Sequence, residues 1–128
     1  MANILLVDDN QPLRSLLAEA LAESGHDVTQ AADGKSAIAL LRQRTFAVVI
    51  TDMLMPEADG AEVMAALRSS GTRPCLIVMS GGGSIEPTRY LQMARMLGAD
   101  EVLQKPFSPV RLIDLVAQLL ARPPAPPR

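Results

Sequence analysis

Short, solidly apolar runs alternate along the chain with segments whose apolar residues recur at helical spacing. The runs cover residues 4–7, 28–31, 46–50, 76–79 and, more weakly, 102–103. An unbroken apolar run is what a strand covered on both faces of a parallel sheet requires, whereas a half-exposed strand alternates. Between the runs lie five helical patterns. Leu13, Leu16, Leu17, Ala20 and Leu21 predict one buried face, bounded by Pro12 in the first turn and Gly25 beyond the end. Asp33-Gly34 opens a second helix carrying Ala37, Ile38 and Leu41, and Asp59 with Glu62 forms a capping box ahead of Val63, Met64 and Leu67. A fourth helix is expected over 87–97 with Gly98 as its stop, and Ser108-Pro109 starts a fifth whose stripe is Leu112, Leu115, Val116 and Leu119. Five strand–helix units in succession predict a doubly wound α/β fold with a five-stranded parallel sheet. Such folds bind ligands outside the carboxyl ends of the strands, where strand order reverses.

At 128 residues the chain fits one domain with a single sizeable core, and 48% hydrophobic with 20% charged residues is ordinary for a globular protein. The net charge of −2 and the lack of a basic helix give little pull on phosphates, so neither nucleic acid nor an anionic membrane is an expected partner. The lone Cys75 excludes an internal disulfide and an all-cysteine metal site; its apolar neighbours predict a small buried hydrophobe. Met1-Ala2-Asn3 lacks the basic start of a signal peptide, and no run reaches membrane-span length, so a cytoplasmic protein is expected. The domain is expected over 1–121. The proline-rich tail at 122–128 cannot continue a helix and is expected to be disordered, as a frayed terminus or a linker stub.

The candidate chemistry sits where the strands run out. Asp8 and Asp9 follow Val7 directly; two adjacent carboxylates repel, and burying them is costly without a cation, for which Mg2+ with its preference for oxygen ligands is suited. A solvated turn with Asn10 capping the next helix is the alternative for that pair. Asp52 follows the third run, where packing has no need of an acid, so it is either a helix-capping group or a functional one, and a carboxylate there can act as a phosphoryl acceptor. Ser80 runs into Gly81-Gly82-Gly83, where a phosphate can approach the backbone closely. Lys105, before Pro106 and Phe107, supplies a mobile point charge suited to a phosphoryl oxygen.

Taken in order, Asp8-Asp9, Thr51-Asp52 with Met55-Pro56 and Gly60, Ser80-Gly81, and Lys105-Pro106-Phe107 resemble the receiver domain of two-component response regulators, over residues 2–121. The resemblance implies a flavodoxin-like (βα)5 fold with strand order 2-1-3-4-5. It implies phosphorylation of Asp52 by a histidine kinase or histidine phosphotransfer protein. It places Mg2+ on Asp9, Asp52 and the Leu54 backbone carbonyl, with Asp8 acting through water. Ser80, Gly81 and Lys105 would surround the phosphoryl oxygens and relay phosphorylation to loop and helix movement. The site would modify itself rather than turn over a substrate, so the protein would not be an enzyme. It would act on a downstream protein target or pass phosphate along a relay, and a homodimer is compatible with this.

Three departures from the family pattern stand out. An aromatic residue is common three positions before the lysine, and here that switch position is Val102. The stretch from Ser80 to Gly98 is a few residues longer than usual, which predicts a mobile loop over 81–87. No output domain follows Leu120, as in a stand-alone receiver; the other reading is a receiver fragment of a larger response regulator or hybrid kinase. A haloacid-dehalogenase-like phosphatase would carry a second acid two residues after the nucleophile, where Leu54 stands. A flavodoxin-like binder of a small ligand would leave Asp8-Asp9 and Lys105 unexplained. His26 reads as a surface turn residue, and Tyr90, Met93 and Met96 as helix packing.

Overall fold

The computed structural model describes residues 2–52, 60–69, 74–81, 92, 95 and 98–122. The strands are β1 (Asn3–Val7), β2 (Asp27–Ala31), β3 (Val48–Asp52), β4 (Cys75–Ser80) and β5 (Glu101–Gln104). The helices are α1 (Gln11–Glu23), α2 (Gly34–Gln43), α3 (Gly60–Ser69) and α4 (Pro109–Ala121). All strands pair in parallel in the order β2-β1-β3-β4-β5, as expected.

The strands' runs are solid because each strand feeds two cores. Alternate side chains point to opposite faces. Ile4 and Leu6, Val48 and Ile50, and Ile77 and Met79 pack with Leu17, Leu21, Leu112, Leu115, Val116 and Leu119 of α1 and α4. Leu5 and Val7, Val49, and Leu76 and Val78 pack instead with Ala37, Val63 and Leu67 of α2 and α3. Most of these side chains are wholly withdrawn from water, which at about 25 cal/mol per Å2 makes this burial the main stabilising contribution.

β3 runs two residues later than the apolar pattern indicates. Phe46 is buried ahead of the strand, while Thr51 and Asp52 join the ladder opposite Val78 and Met79. Ladder hydrogen bonds are made by backbone, so polar side chains at a strand's end do not stop pairing.

Helix ends follow their sequence signals. Asn10 Oδ1 accepts from the Leu13 N–H at 3.1 Å, Asp33 Oδ1 from the Ser36 N–H at 2.7 Å, and Ser108 Oγ from the Arg111 N–H at 3.3 Å. The Ser36 bonds hold the Asp33 carboxyl below its ordinary range. Gly25 and Gly98 take φ of 95° and 101°, a region that only glycine enters without strain.

The α1 stripe is the main correction. Leu17 and Leu21 are buried as expected and Leu13 is partly so, but Leu16 is 52% exposed and Ala18 is buried in its place. At about 100° per residue Leu16 and Ala18 flank Leu17 on opposite sides, and the sheet lies toward Ala18. The α4 stripe is buried as expected, and Ala37, Val63 and Leu67 likewise. Cys75 is part-exposed rather than buried, its sulfur 3.9 Å from the Leu119 carbonyl oxygen. His26 is part-buried at the turn into β2, and its Nδ1 accepts from the Ala2 N–H at 3.2 Å. The Asp59 cap, Met64, the helix over 87–97 apart from residues 92 and 95, with Tyr90, Met93 and Met96, the loop beyond Gly81 and the tail beyond Arg122 lie outside the described residues or side chains. Among the described residues no helix is long and apolar enough to cross a membrane.

Candidate functional site

The parallel sheet brings Asp8, Asp52, Ser80 and Lys105 to its carboxyl edge. Backbone bonds carry the ladders past the last strand residues: the Asp8 N–H donates to the Ala31 carbonyl at 3.2 Å, and the Lys105 N–H to the Ser80 carbonyl at 2.7 Å. Asp8 stands two residues beyond Leu6, Asp52 two beyond Ile50 and Lys105 two beyond Leu103. All three therefore continue the rows that face α1 and α4.

Lys105 closes the constellation. Its Nζ donates to Asp8 Oδ2 at 3.0 Å and to Asp52 Oδ2 at 2.9 Å, joining the ends of β1, β3 and β5. Asp8 is 0% exposed and Asp52 7%, so both carboxyl groups are withdrawn from solvent. Burial pulls the lysine pKa down, but the hydrogen bonds and charges of Asp52 and Asp8 together outweigh it and hold the ammonium above its ordinary value. The Lys105-Pro106 peptide bond is cis.

Ser80, 1% exposed, has no hydrogen-bond partner for its Oγ among the described residues. A buried hydroxyl without a partner is unfavourable, and an incoming oxygen at this edge would satisfy it. At Gly81 an added Cβ would meet, among the described residues, Lys105 Cδ at 3.9 Å, an ordinary contact. Among the described residues nothing crowds that position, so packing there does not call for glycine. Val102 is part-buried and packs against the core beneath α2 and α3. Leu54 lies outside the described residues.

Asp8, Asp9 and Asp52 each bring a carboxylate oxygen to within 4.8 Å of the others. Three formal negative charges against one ammonium leave the site short of positive charge. An all-oxygen donor set at that spacing fits a hard divalent cation rather than a thiophilic one.

Three supporting contacts escaped the sequence reading. The Asn10 N–H donates to Asp8 Oδ1 at 3.0 Å, Arg14 Nη1 to the Asp8 carbonyl at 2.7 Å, and Thr51 Oγ1 to the Asp52 carbonyl at 3.1 Å. Arg14 carried a weak signal, a basic residue in the first helical turn after an acidic pair. Its partner is a backbone atom, which sequence does not display.

Comparison with known proteins agrees with this geometry. Residues 4–117 match the response regulator receiver domain family. The transcriptional regulatory protein CpxR of Escherichia coli K12 is 34% identical over 122 residues, covering 95% of this chain and 50% of the relative. The Klebsiella pneumoniae CpxR shows the same identity and coverage, so the chain spans about half the length of the curated relatives it matches. Among solved structures, the receiver domain of the Francisella response regulator 1452 superposes with a TM-score of 0.83 at 29% identity, covering 93% of this chain and 96% of the other. Vibrio cholerae chemotaxis protein CheY4 gives 0.79 at 29% identity, covering 92% and 98%. The sheet order, the acidic cluster with its lysine and the match over residues 4–117 make this chain a member of the response regulator receiver family.

Proposed function

We propose that Asp52 is the phosphoryl acceptor of this receiver, with Asp9 and Asp52 holding Mg2+ and the Leu54 carbonyl as a further ligand. The observation that carries this reading is Lys105 bridging two buried carboxylates, 3.0 Å from Asp8 and 2.9 Å from Asp52, beside the Ser80 hydroxyl, which has no partner among the described residues. In the transfer an Asp52 oxygen attacks the phosphorus of a phosphohistidine. The O–P bond forms as the N–P bond breaks, and the departing imidazole nitrogen keeps the bonding pair. Bound cation supplies positive charge for the phosphoryl oxygens. Lys105 is placed to move from carboxylate to phosphoryl oxygen, and Ser80 to donate its hydroxyl. Both changes alter contacts between strand ends, which is how a local charge becomes a conformational signal.

The phosphoryl donor on this reading is a histidine kinase or histidine phosphotransfer protein in the cytoplasm, and the output is a phosphorylation-dependent contact with a protein target or a relay step. Transcriptional regulation, named for the CpxR relatives, would require parts beyond the half of their length matched here. Incubation with acetyl phosphate and Mg2+, followed by intact mass, tests the assignment. The wild type should gain one phosphoryl group and Asp52→Asn none. Loading of both proteins would move the acceptor elsewhere.

A further inference from the structure

Arg14 does not join the charged side chains at the sheet edge, yet it grips the frame that carries them. Its Nη1 donates to the Asp8 carbonyl at 2.7 Å while its Nε donates to Gln30 Oε1 at 3.1 Å. One guanidinium fork thus ties the first turn of α1 to the β1–α1 loop and to edge strand β2. With this bond every polar atom of Asp8 is held. Its N–H is on Ala31 O, its carbonyl on Arg14, its Oδ1 on the Asn10 N–H and its Oδ2 on Lys105 Nζ.

Asp9 is different. It is exposed, and among the described residues no hydrogen bond or ion pair holds its carboxylate. Where that carboxylate can reach is therefore set by the position of its Cα on the backbone beneath it, and an oxygen of it lies within 4.8 Å of Asp8 and Asp52. The peptide unit joining Asp8 to Asp9 is planar, so its oxygen and the Asp9 Cα move together. Arg14 holds that oxygen.

We propose that Arg14 is a positioning residue for the cation site, keeping the Asp9 carboxylate within reach of Mg2+ by clamping the Asp8–Asp9 peptide. This rests on the reading that Asp9 is a Mg2+ ligand. Charge and positioning predict opposite signs here. A guanidinium near the site repels a cation, so by charge alone its removal tightens Mg2+ binding. As a clamp, its removal loosens a ligand and weakens binding.

Calorimetric Mg2+ titration of the wild type, Arg14→Ala and Arg14→Lys, each also with Asp9→Asn, decides between them. Arg14→Ala should weaken binding roughly 10-fold, the lower end for residues that orient a metal ligand. Arg14→Lys, which can reach one acceptor but not both, should fall between, and it decides the matter if the alanine variant does not fold. With Asp9→Asn already present, Arg14→Ala should change affinity by less than about twofold, as for two substitutions acting through one group. Equal or tighter binding by the folded Arg14 variants overturns the clamp, as does an undiminished loss in the Asp9→Asn background. Absence of Mg2+ binding by the wild type overturns the cation reading itself, and the clamp with it.

Discussion

Lys105→Met removes the cation that holds two buried acids together, and its effect can be bounded from the structure. The ammonium lies 3.0 Å from Asp8 and 2.9 Å from Asp52. At an effective dielectric constant of about 20, opposite unit charges 3 Å apart attract by roughly 5 kcal/mol. Desolvation offsets much of this, and removing one partner of a buried pair commonly lowers stability by about 3–5 kcal/mol. Here 19% of the lysine side chain and 11% of that of Asp52 remain in water, which lowers the expected loss to about 2–4 kcal/mol. Urea unfolding followed by circular dichroism measures it. The pH dependence has a definite sign. The folded lysine holds its proton more tightly than the unfolded one, whose ordinary value is 10.5. Its contribution is therefore complete below that value and is lost as pH rises through the higher folded one. The gap between wild type and variant should accordingly be level from neutral pH upward and close in strong alkali. Mg2+ at a hundred times its dissociation constant should return about 2.7 kcal/mol to the variant. A variant within about 0.5 kcal/mol of wild type at neutral pH would refute the argument, since that is the range of substitutions that break nothing. So would a gap that persists unchanged above the lysine range.

Ser80→Ala should raise the stability of the unphosphorylated protein by about 1 kcal/mol, because it removes a buried hydroxyl that has no partner among the described residues, and should slow loading from acetyl phosphate. A loss of stability in the same unfolding assay would show that the hydroxyl is already satisfied. Leu17→Ala and Leu16→Ala differ by one position and should differ widely in effect. The first opens a core cavity and should lower stability by about 2–5 kcal/mol, whereas the second removes a half-exposed side chain and should change it by less than about 0.5 kcal/mol. Comparable losses at both positions would mean that α1 is rotated from the orientation described.

The fold class, the parallel sheet and the residues at its edge are legible in the order of the residues because they rest on local regularities. Solid apolar runs announce strands covered on both faces, and a polar residue placed directly after such a run falls at the sheet edge whatever the details of packing. The α4 stripe is legible for the same reason, since Leu112, Leu115, Val116 and Leu119 recur at helical spacing. The α1 stripe was less so. Leu16 and Ala18 flank Leu17 equally in the pattern, and only the direction of the sheet decides which of them is covered. That direction is set by contacts distant in sequence, and helical spacing carries no record of it. The site divides in the same way. Asp8, Asp52, Ser80 and Lys105 are side chains with a chemistry that can be read from their types and places. The bridge from Lys105 to two acids spans 97 and 53 residues of chain, and the Arg14 bond ends on a backbone oxygen that every residue possesses. Sequence names the groups that can react, while the tertiary structure alone decides which atoms hold them still, because hydrogen bonds to backbone and across strands depend on position and not on residue type.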